Sequence, residues 1–206
     1  MIFNRAMLAR YFILGTQNVT DERMFYKVLE EALSNGITLF QYREKGFGSL
    51  VGANKLRVAQ RVRELTSAYH VPFVIDDDIV LAHIVHADGV HFGQGDGNIA
   101  ANIVASHGMF VGVSVSTQAE YERISLLSGI DNIGIGPVFE TKSKADAKPA
   151  IGLIALERLV EQSRWPTVAI GGISQDNLAT VLATDVDGAA VISMISDSSN
   201  IENVLK

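Results

Sequence analysis

The chain contains no cysteine, which removes disulfides, thiolate nucleophiles and cysteine-ligated metal centres from consideration. A long hydrophobic run is missing too: no uninterrupted apolar stretch approaches the roughly 18 residues of a membrane span. Residues 11–15 (YFILG) come nearest to a secretory core, but they are too short and no small-residue cleavage pattern follows. The expected location is the cytoplasm, without membrane contact. A basic surplus is also absent. Seventeen Lys and Arg stand against 23 Asp and Glu, a net charge of −6, which argues against nucleic-acid binding but leaves room for a small basic pocket around a phosphorylated ligand. With 206 residues, 48% of them hydrophobic and 19% charged, the chain is expected to form one folded domain over residues 1–206 with a substantial core.

Apolar segments that read as strands recur along the chain, at residues 11–16, 38–43, 72–76, 89–93, 110–115, 132–138, 167–172 and 189–194. Amphipathic patterns lie between them: Met24, Val28, Leu29, Ala32 and Leu33 recur at helical spacing, as do Leu56, Ala59, Val62 and Leu65. Asp88, Asp131, Asp185 and Asp187 punctuate strand starts, where turn residues belong. Eight strands joined by helical crossovers imply a parallel sheet. No Gly-rich dinucleotide fingerprint follows the first strand, and the count of eight favours a single-domain α/β fold of the (β/α)8, or TIM, barrel type over an open sheet. Residues 1–10 are read as an extra helix covering the barrel floor, and residues 200–206 as a cramped final helix.

In such a barrel the active site sits at the C-terminal ends of the strands, and here polar residues gather at those ends. Strand two ends in Gln41, Arg43 and Lys45, strand three in Asp76, Asp77 and Asp78, and strand four in Gln94 and Asp96. Strand five carries Ser114 and Ser116, and residues 140–144 (ETKSK) follow strand six. Taken singly, each has a plain structural reading: residues 43–45 as a solvated turn, one of the three aspartates as a helix cap. Gly171 and Gly172 after strand seven, with Ser193 after strand eight, mark a phosphate position. The five histidines are scattered, with no metal-binding cluster and no paired nucleophile and base. Together the ring offers cations for a polyanionic phosphate and two acidic strand tips, Asp77 and Asp96, suited to Mg²⁺. That set fits displacement of a pyrophosphate leaving group by a nucleophile with no proton to lose.

The ordered motifs QYREK (41–45), DDD (76–78), GQGD (93–96), GVS (112–114), GPVFETKSK (136–144), AIGGI (169–173) and VIS (191–193) resemble the thiamine phosphate synthase family. The resemblance implies condensation of a pyrimidine pyrophosphate with a thiazole phosphate, two phosphorylated small molecules, with release of pyrophosphate. It assigns residues 41–45, that is Gln41, Tyr42, Arg43, Glu44 and Lys45, to the substrate, although strand alternation turns Glu44 off the ligand. Arg43, Lys45, Ser114 and Lys144 would act on the pyrophosphate, with Asp76 beside them and Mg²⁺ held by Asp77 and Asp96. Thr141, Ser143, Gly172, Ile192 and Ser193 would bind the thiazole phosphate, and Lys142, on a basic loop that could fold over the top, would also contact substrate. Barrels of this kind often self-associate, so a homo-oligomer is an open expectation.

Two departures stand out. Asp76 replaces the family's usual Asn, exchanging a donor for an acceptor, so Asp76 is expected to face the metal or bind a proton, at some cost in pyrophosphate affinity. Ser116 stands where many relatives have His. The related thiazole tautomerase needs that His and lacks the paired carboxylates, so both features favour the synthase. A non-catalytic barrel that binds thiamine precursors is the remaining alternative.

Overall fold

The strands come where the hydrophobicity puts them, but several stop sooner. A computed structural model describes residues 2–141, 143 and 148–205. Its strands are β1 (Arg10–Leu14), β2 (Leu39–Tyr42), β3 (Phe73–Asp76), β4 (Gly89–Phe92), β5 (Phe110–Val115), β6 (Asn132–Ile135), β7 (Thr167–Ile170) and β8 (Ala189–Val191). All pair in parallel with their sequence neighbours, and β8 closes on β1, giving a closed barrel. The helices are α1 (Glu22–Ser34), α2 (Gly52–Ala68), α3 (Ile79–Ile84), α4 (Ile99–Ala105), α5 (Gln118–Ser125), α6 (Gly152–Gln162), α7 (Gln175–Leu182), α8 (Ser193–Ser196) and α9 (Ile201–Leu205). Among the described residues no helix is long and apolar enough to cross a membrane.

The early stops have local causes. β6 ends before Gly136-Pro137, because proline has no N–H to give a neighbouring strand. β7 ends before Gly171 and Gly172, whose φ values of +97° and +66° lie in the left-handed region that glycine enters without penalty. β8 ends because Ser193 already begins α8, so the C-terminal segment holds two short helices and not one.

Side-chain alternation sorts the strands into two cores. Tyr11, Ile13, Leu39, Val74, Phe110, Val168 and Ala190 point into the barrel. Phe12, Phe40, Tyr42, Phe73, Ile75, Phe92 and Ile135 point outward to the helices. α1 presents Phe25, Val28, Leu29, Ala32 and Leu33 to that layer, so Phe25 takes the place that the helical spacing assigned to Met24, which is exposed. Side-chain oxygens of Asp21, Asp78, Asn98 and Thr117 cap the helices that follow them, each satisfying an N–H that the helix cannot.

The N-terminal segment is a single 3₁₀ turn, Arg5–Leu8. Leu8 is fully buried among the interior side chains, and Phe3 lies 5.5 Å from Phe110, ring to ring. Gly188 is obligatory here, since a Cβ would sit 1.9 Å from the Leu8 carbonyl oxygen.

The punctuating aspartates have a shared task. A side chain at the entry to each even strand accepts an N–H near the start of the preceding odd strand. Thr38 Oγ1 takes Arg10 N at 2.8 Å, Asp88 Oδ2 takes Phe73 N at 2.9 Å, Asp131 Oδ2 takes Val111 N at 2.8 Å, and Asp187 Oδ2 takes Thr167 N at 2.7 Å. Asp185 differs: it is exposed at a turn with φ of +60°. Asp131→Ala is therefore expected to lower unfolding free energy by about 1–3 kcal/mol, the cost of leaving a buried N–H unpaired. Asp185→Asn is expected to stay within about 0.5 kcal/mol of the native chain. Urea unfolding of the two variants checks both.

Candidate active site

β2 ends by pushing polar side chains to alternate faces. Gln41, Arg43 and Lys45 turn inward, while Tyr42 and Glu44 turn out. Tyr42 is buried among the helix-facing side chains. Glu44 accepts from Thr16 N (3.0 Å), Thr16 Oγ1 (2.6 Å) and Leu50 N (2.6 Å), tying together the loops after β1 and β2. Neither lines the cavity at the C-terminal ends of the strands. Gln41 is buried inside the barrel, where its amide donates to the Tyr11 hydroxyl at 2.6 Å, and it too is not part of the cavity wall. Of the five residues at 41–45, Arg43 and Lys45 reach the cavity.

That cavity has a volume of about 490 Å³. The arc from β2 to β5 supplies Arg43, Lys45, Asp76, His91, Asp96 and Ser114. The opposite arc, from β6 to β8, supplies Thr141, Ser143, Gly171, Gly172, Ile192 and Ser193. A second recess of about 430 Å³ shares Thr141, Ser143, Gly172, Ile192 and Ser193 with the first. Lys142 and Lys144 lie outside the described residues.

The three consecutive aspartates divide three ways. Asp76 points inward, and Arg43 Nε lies 3.2 Å from its Oδ2, with both side chains at 10% exposure or less. The strand-two guanidinium is thus a partner of Asp76. Asp77 takes a left-handed backbone, φ +53°, which turns its carboxylate to Lys45. Asp78 caps α3 through Leu81 N and pairs with Lys55 at 2.8 Å.

Lys45 Nζ lies 2.6 Å from Asp77 Oδ2 and 2.5 Å from Asp96 Oδ1. Asp96 Oδ2 accepts from Gly93 N at 2.7 Å, which fixes the carboxylate so that Oδ1 faces the ammonium. Burial disfavours charge on Lys45, but its bonds to Asp77 and Asp96 outweigh that and hold the ammonium well above the usual lysine range. Burial acts the same way on Asp96, and there Lys45 and the Gly93 amide prevail, holding the carboxyl below its usual range.

On the opposite arc the backbone comes close. Phe139 N donates to Gly171 O at 3.0 Å, and Val138 N to Ile170 O at 2.9 Å. A Cβ on Gly172 would lie 2.6 Å from Glu140 O, so a glycine is required for the loop after β6 to lie against the one after β7. Asn177 secures that turn, donating to Gly172 O and accepting from Ser174 N.

One cavity residue, His91, had no motif of its own. It reads as an ordinary strand residue but points inward, and its Nε2 lies 2.7 Å from Ser114 Oγ. The signal for it is on neighbouring strands, where Gly112 and Gly134 leave the space its ring fills: a Cβ on Gly112 would meet Nδ1 at 2.4 Å. Gln94 donates to Ser114 O at 2.8 Å. Ser116 Oγ donates to Gly136 O at 2.6 Å, and Lys148 pairs with Glu120.

The lowered Asp96 carboxyl sets the sign of a pH dependence. Its contribution to stability is present above the unfolded value, about 3.9, and is lost as pH falls through the lower folded value. Relative to Asp96→Asn, the native chain is expected to gain a constant increment in melting temperature between about pH 5 and 9, shrinking as pH drops below about 4. Thermal melts of both proteins across that range check it.

Among the described residues no group of three or more His, Asp or Glu side chains is gathered into a metal cage. Asp77 and Asp96 nevertheless converge on one cation. Two carboxylates, completed by ligand oxygens and water, are the donor set that Mg²⁺ takes, so these residues fit that ion.

A family model described as thiamine monophosphate synthase matches residues 10–195. A thiamine-phosphate synthase of Leuconostoc citreum is 60% identical over 205 residues, covering 100% of this chain and 97% of that one. One of Pediococcus pentosaceus is 47% identical over 198 residues, covering 95% and 92%. Among solved structures, thiamine phosphate pyrophosphorylase from Pyrococcus furiosus matches with a TM-score of 0.82 at 33% identity, over 98% of this chain and 93% of that one. Tryptophan synthase from Mycobacterium tuberculosis, with a TM-score of 0.69 at 12% identity, shares the fold alone. On sequence, fold and the placement of the strand-end motifs around one cavity, the chain belongs to the thiamine monophosphate synthase family.

Proposed function

We propose that this chain is a thiamine phosphate synthase. It joins the pyrophosphate ester of 4-amino-5-hydroxymethyl-2-methylpyrimidine to 4-methyl-5-(2-phosphoethyl)thiazole, giving thiamine phosphate and pyrophosphate. The observation that carries this reading is the two-armed cavity: Arg43, Lys45 and Ser114 on one arc, and the Gly172, Ile192 and Ser193 backbone with Thr141 and Ser143 on the other. One arc suits a pyrophosphate and the other a phosphate monoester.

The electron balance is simple. The bond from the pyrimidine methylene carbon to oxygen breaks, its electron pair leaves with pyrophosphate, and the lone pair of the thiazole nitrogen forms the new C–N bond. No proton is removed, so no general base is needed. The site agrees with that requirement: each titratable side chain on the described cavity wall already has a partner, Arg43 with Asp76, Lys45 with Asp77 and Asp96, His91 with Ser114, and Lys148 with Glu120. Arg43 and Lys45 bind the departing phosphates and draw charge toward themselves as the bond lengthens. Ser114 donates to a pyrophosphate oxygen, with its hydroxyl oriented by His91. The family resemblance assigns Lys144, outside the described residues, to the same pyrophosphate. Thr141 and Ser143 hold the thiazole phosphate and so aim the ring nitrogen across the cavity. Mg²⁺ held by Asp77 and Asp96 would neutralise charge on the leaving group.

The direct test supplies both phosphorylated precursors with and without Mg²⁺ and detects thiamine phosphate as fluorescent thiochrome. Product is expected only with Mg²⁺, and Asp77→Ala is expected to cut the rate about a hundredfold or more. Product formation indifferent to both would remove the metal from the reaction, and absence of product from folded protein would remove the activity.

Asp76 bears on affinity. It shares the Arg43 guanidinium with the incoming pyrophosphate, so the pair weakens the cation's hold on substrate. Asp76→Asn is expected to tighten pyrophosphate binding about fivefold, the difference between a charge-assisted and an ordinary hydrogen bond. Calorimetric titration of native and Asp76→Asn protein with pyrophosphate decides this; equal affinity would contradict it.

A further inference from the structure

The place where Asp77 and Asp96 converge is already taken by the protein's own cation. Lys45 Nζ is within 2.6 Å of one carboxylate and 2.5 Å of the other. Because Asp96 Oδ2 is committed to the Gly93 amide, Oδ1 is the oxygen a metal would need, and Oδ1 is the atom that Lys45 holds. A divalent ion bound at about 2.0–2.1 Å from the oxygens that face Lys45 would occupy nearly the same point as the ammonium. Charge and volume both forbid the two together.

We infer that Lys45 is an internal stand-in for the metal, expelled from the Asp77–Asp96 pair when a divalent cation binds and thereby released to bind the anionic leaving group. The inference rests on the metal site proposed above. The hinge for the exchange is local. Glu44 is pinned by three hydrogen bonds, and Gly46 follows with φ +100° and nothing within 4 Å of where its Cβ would be. The strand end stays fixed while the four-carbon side chain, about a third exposed, swings within the cavity it lines. An ammonium expelled into that cavity meets on its wall the Asp76 carboxylate, which Arg43 already holds, so an arriving anion is its better partner. Metal and pyrophosphate therefore assist one another, and the assistance is reciprocal because it is one coupling free energy.

The consequence separates Lys45 from a residue that merely touches substrate. Removing its charge harms pyrophosphate binding but improves metal binding, since the carboxylate pair is left without a resident cation.

The test uses the full chain with Mn²⁺ as a spectroscopic substitute for Mg²⁺, counted by electron paramagnetic resonance, alone and with inorganic pyrophosphate. In the native protein, pyrophosphate is expected to tighten Mn²⁺ binding about tenfold or more, after allowance for the complex the two form in solution. Lys45→Met is expected to bind Mn²⁺ alone about tenfold more tightly than native and to lose most of the enhancement by pyrophosphate. Lys45→Gln serves as a second variant should Lys45→Met melt early, and Asp77→Asn marks the site by abolishing Mn²⁺ binding. If native protein binds Mn²⁺ in an Asp77-dependent way but neither Lys45 variant binds it more tightly, the stand-in role is overturned while the metal site survives. If no Asp77-dependent binding is seen with or without pyrophosphate, the metal site falls and the stand-in role falls with it.

Discussion

Closing eight parallel strands into a barrel leaves one interior, and every inward side chain must share it. The lower part is filled with apolar side chains, Tyr11, Ile13, Leu39, Val74, Phe110 and Val168, over a floor made by the Arg5–Leu8 turn. Nearer the strand tips that interior becomes the cavity, and inward residues there can be polar without being stranded. Function follows from this single geometric fact: alternation along a strand chooses which residues face inward, and height along the strand chooses whether they pack or bind.

At the tips, charge is handled in small groups of opposite sign. Arg43 answers Asp76, Lys45 answers Asp77 and Asp96, and Lys148 answers Glu120. For the most buried pair, Arg43 and Asp76, an isolated charge would carry a desolvation penalty on the order of several kcal/mol. Pairing removes most of it while leaving cations within reach of a ligand. An acidic chain thereby keeps a pocket that accepts polyanions, and its net charge says little about what the pocket holds. Under the proposed function an incoming anion would not meet bare cations; it would compete with carboxylates for them.

Much of this was legible in the residues. All eight strand cores follow from apolar runs and their turn signals, and the barrel from their number. The polar strand ends mark the cavity, and Arg43, Lys45, Asp76, Asp96, Ser114, Thr141, Ser143, Gly172, Ile192 and Ser193 do meet there. What was hidden depends on register between strands, which no local pattern encodes. Gln41 and Arg43 share a face, yet only the longer side chain reaches the cavity. Three adjacent aspartates look alike on paper and differ because one ends a strand, one adopts a left-handed turn and one caps a helix. His91 becomes visible only when Gly112 and Gly134, distant in sequence, are set beside it by strands β5 and β6. Tyr42 and Glu44 share a motif with Arg43 and Lys45, but their side chains turn away from the cavity, one into the helix-facing layer and the other into a knot between two loops.

The side chains entering the even strands make the barrel a ring of four clasped pairs. Each clasp joins strands adjacent in sequence, β1 to β2, β3 to β4, β5 to β6 and β7 to β8, and none of the four crosses from one pair to the next. New chain ends introduced between pairs would leave every clasp within one continuous stretch. Ends introduced inside a pair would make its clasp span nearly the whole chain, at a higher closure entropy. The permutations this barrel accepts most readily are therefore those that respect a two-strand beat.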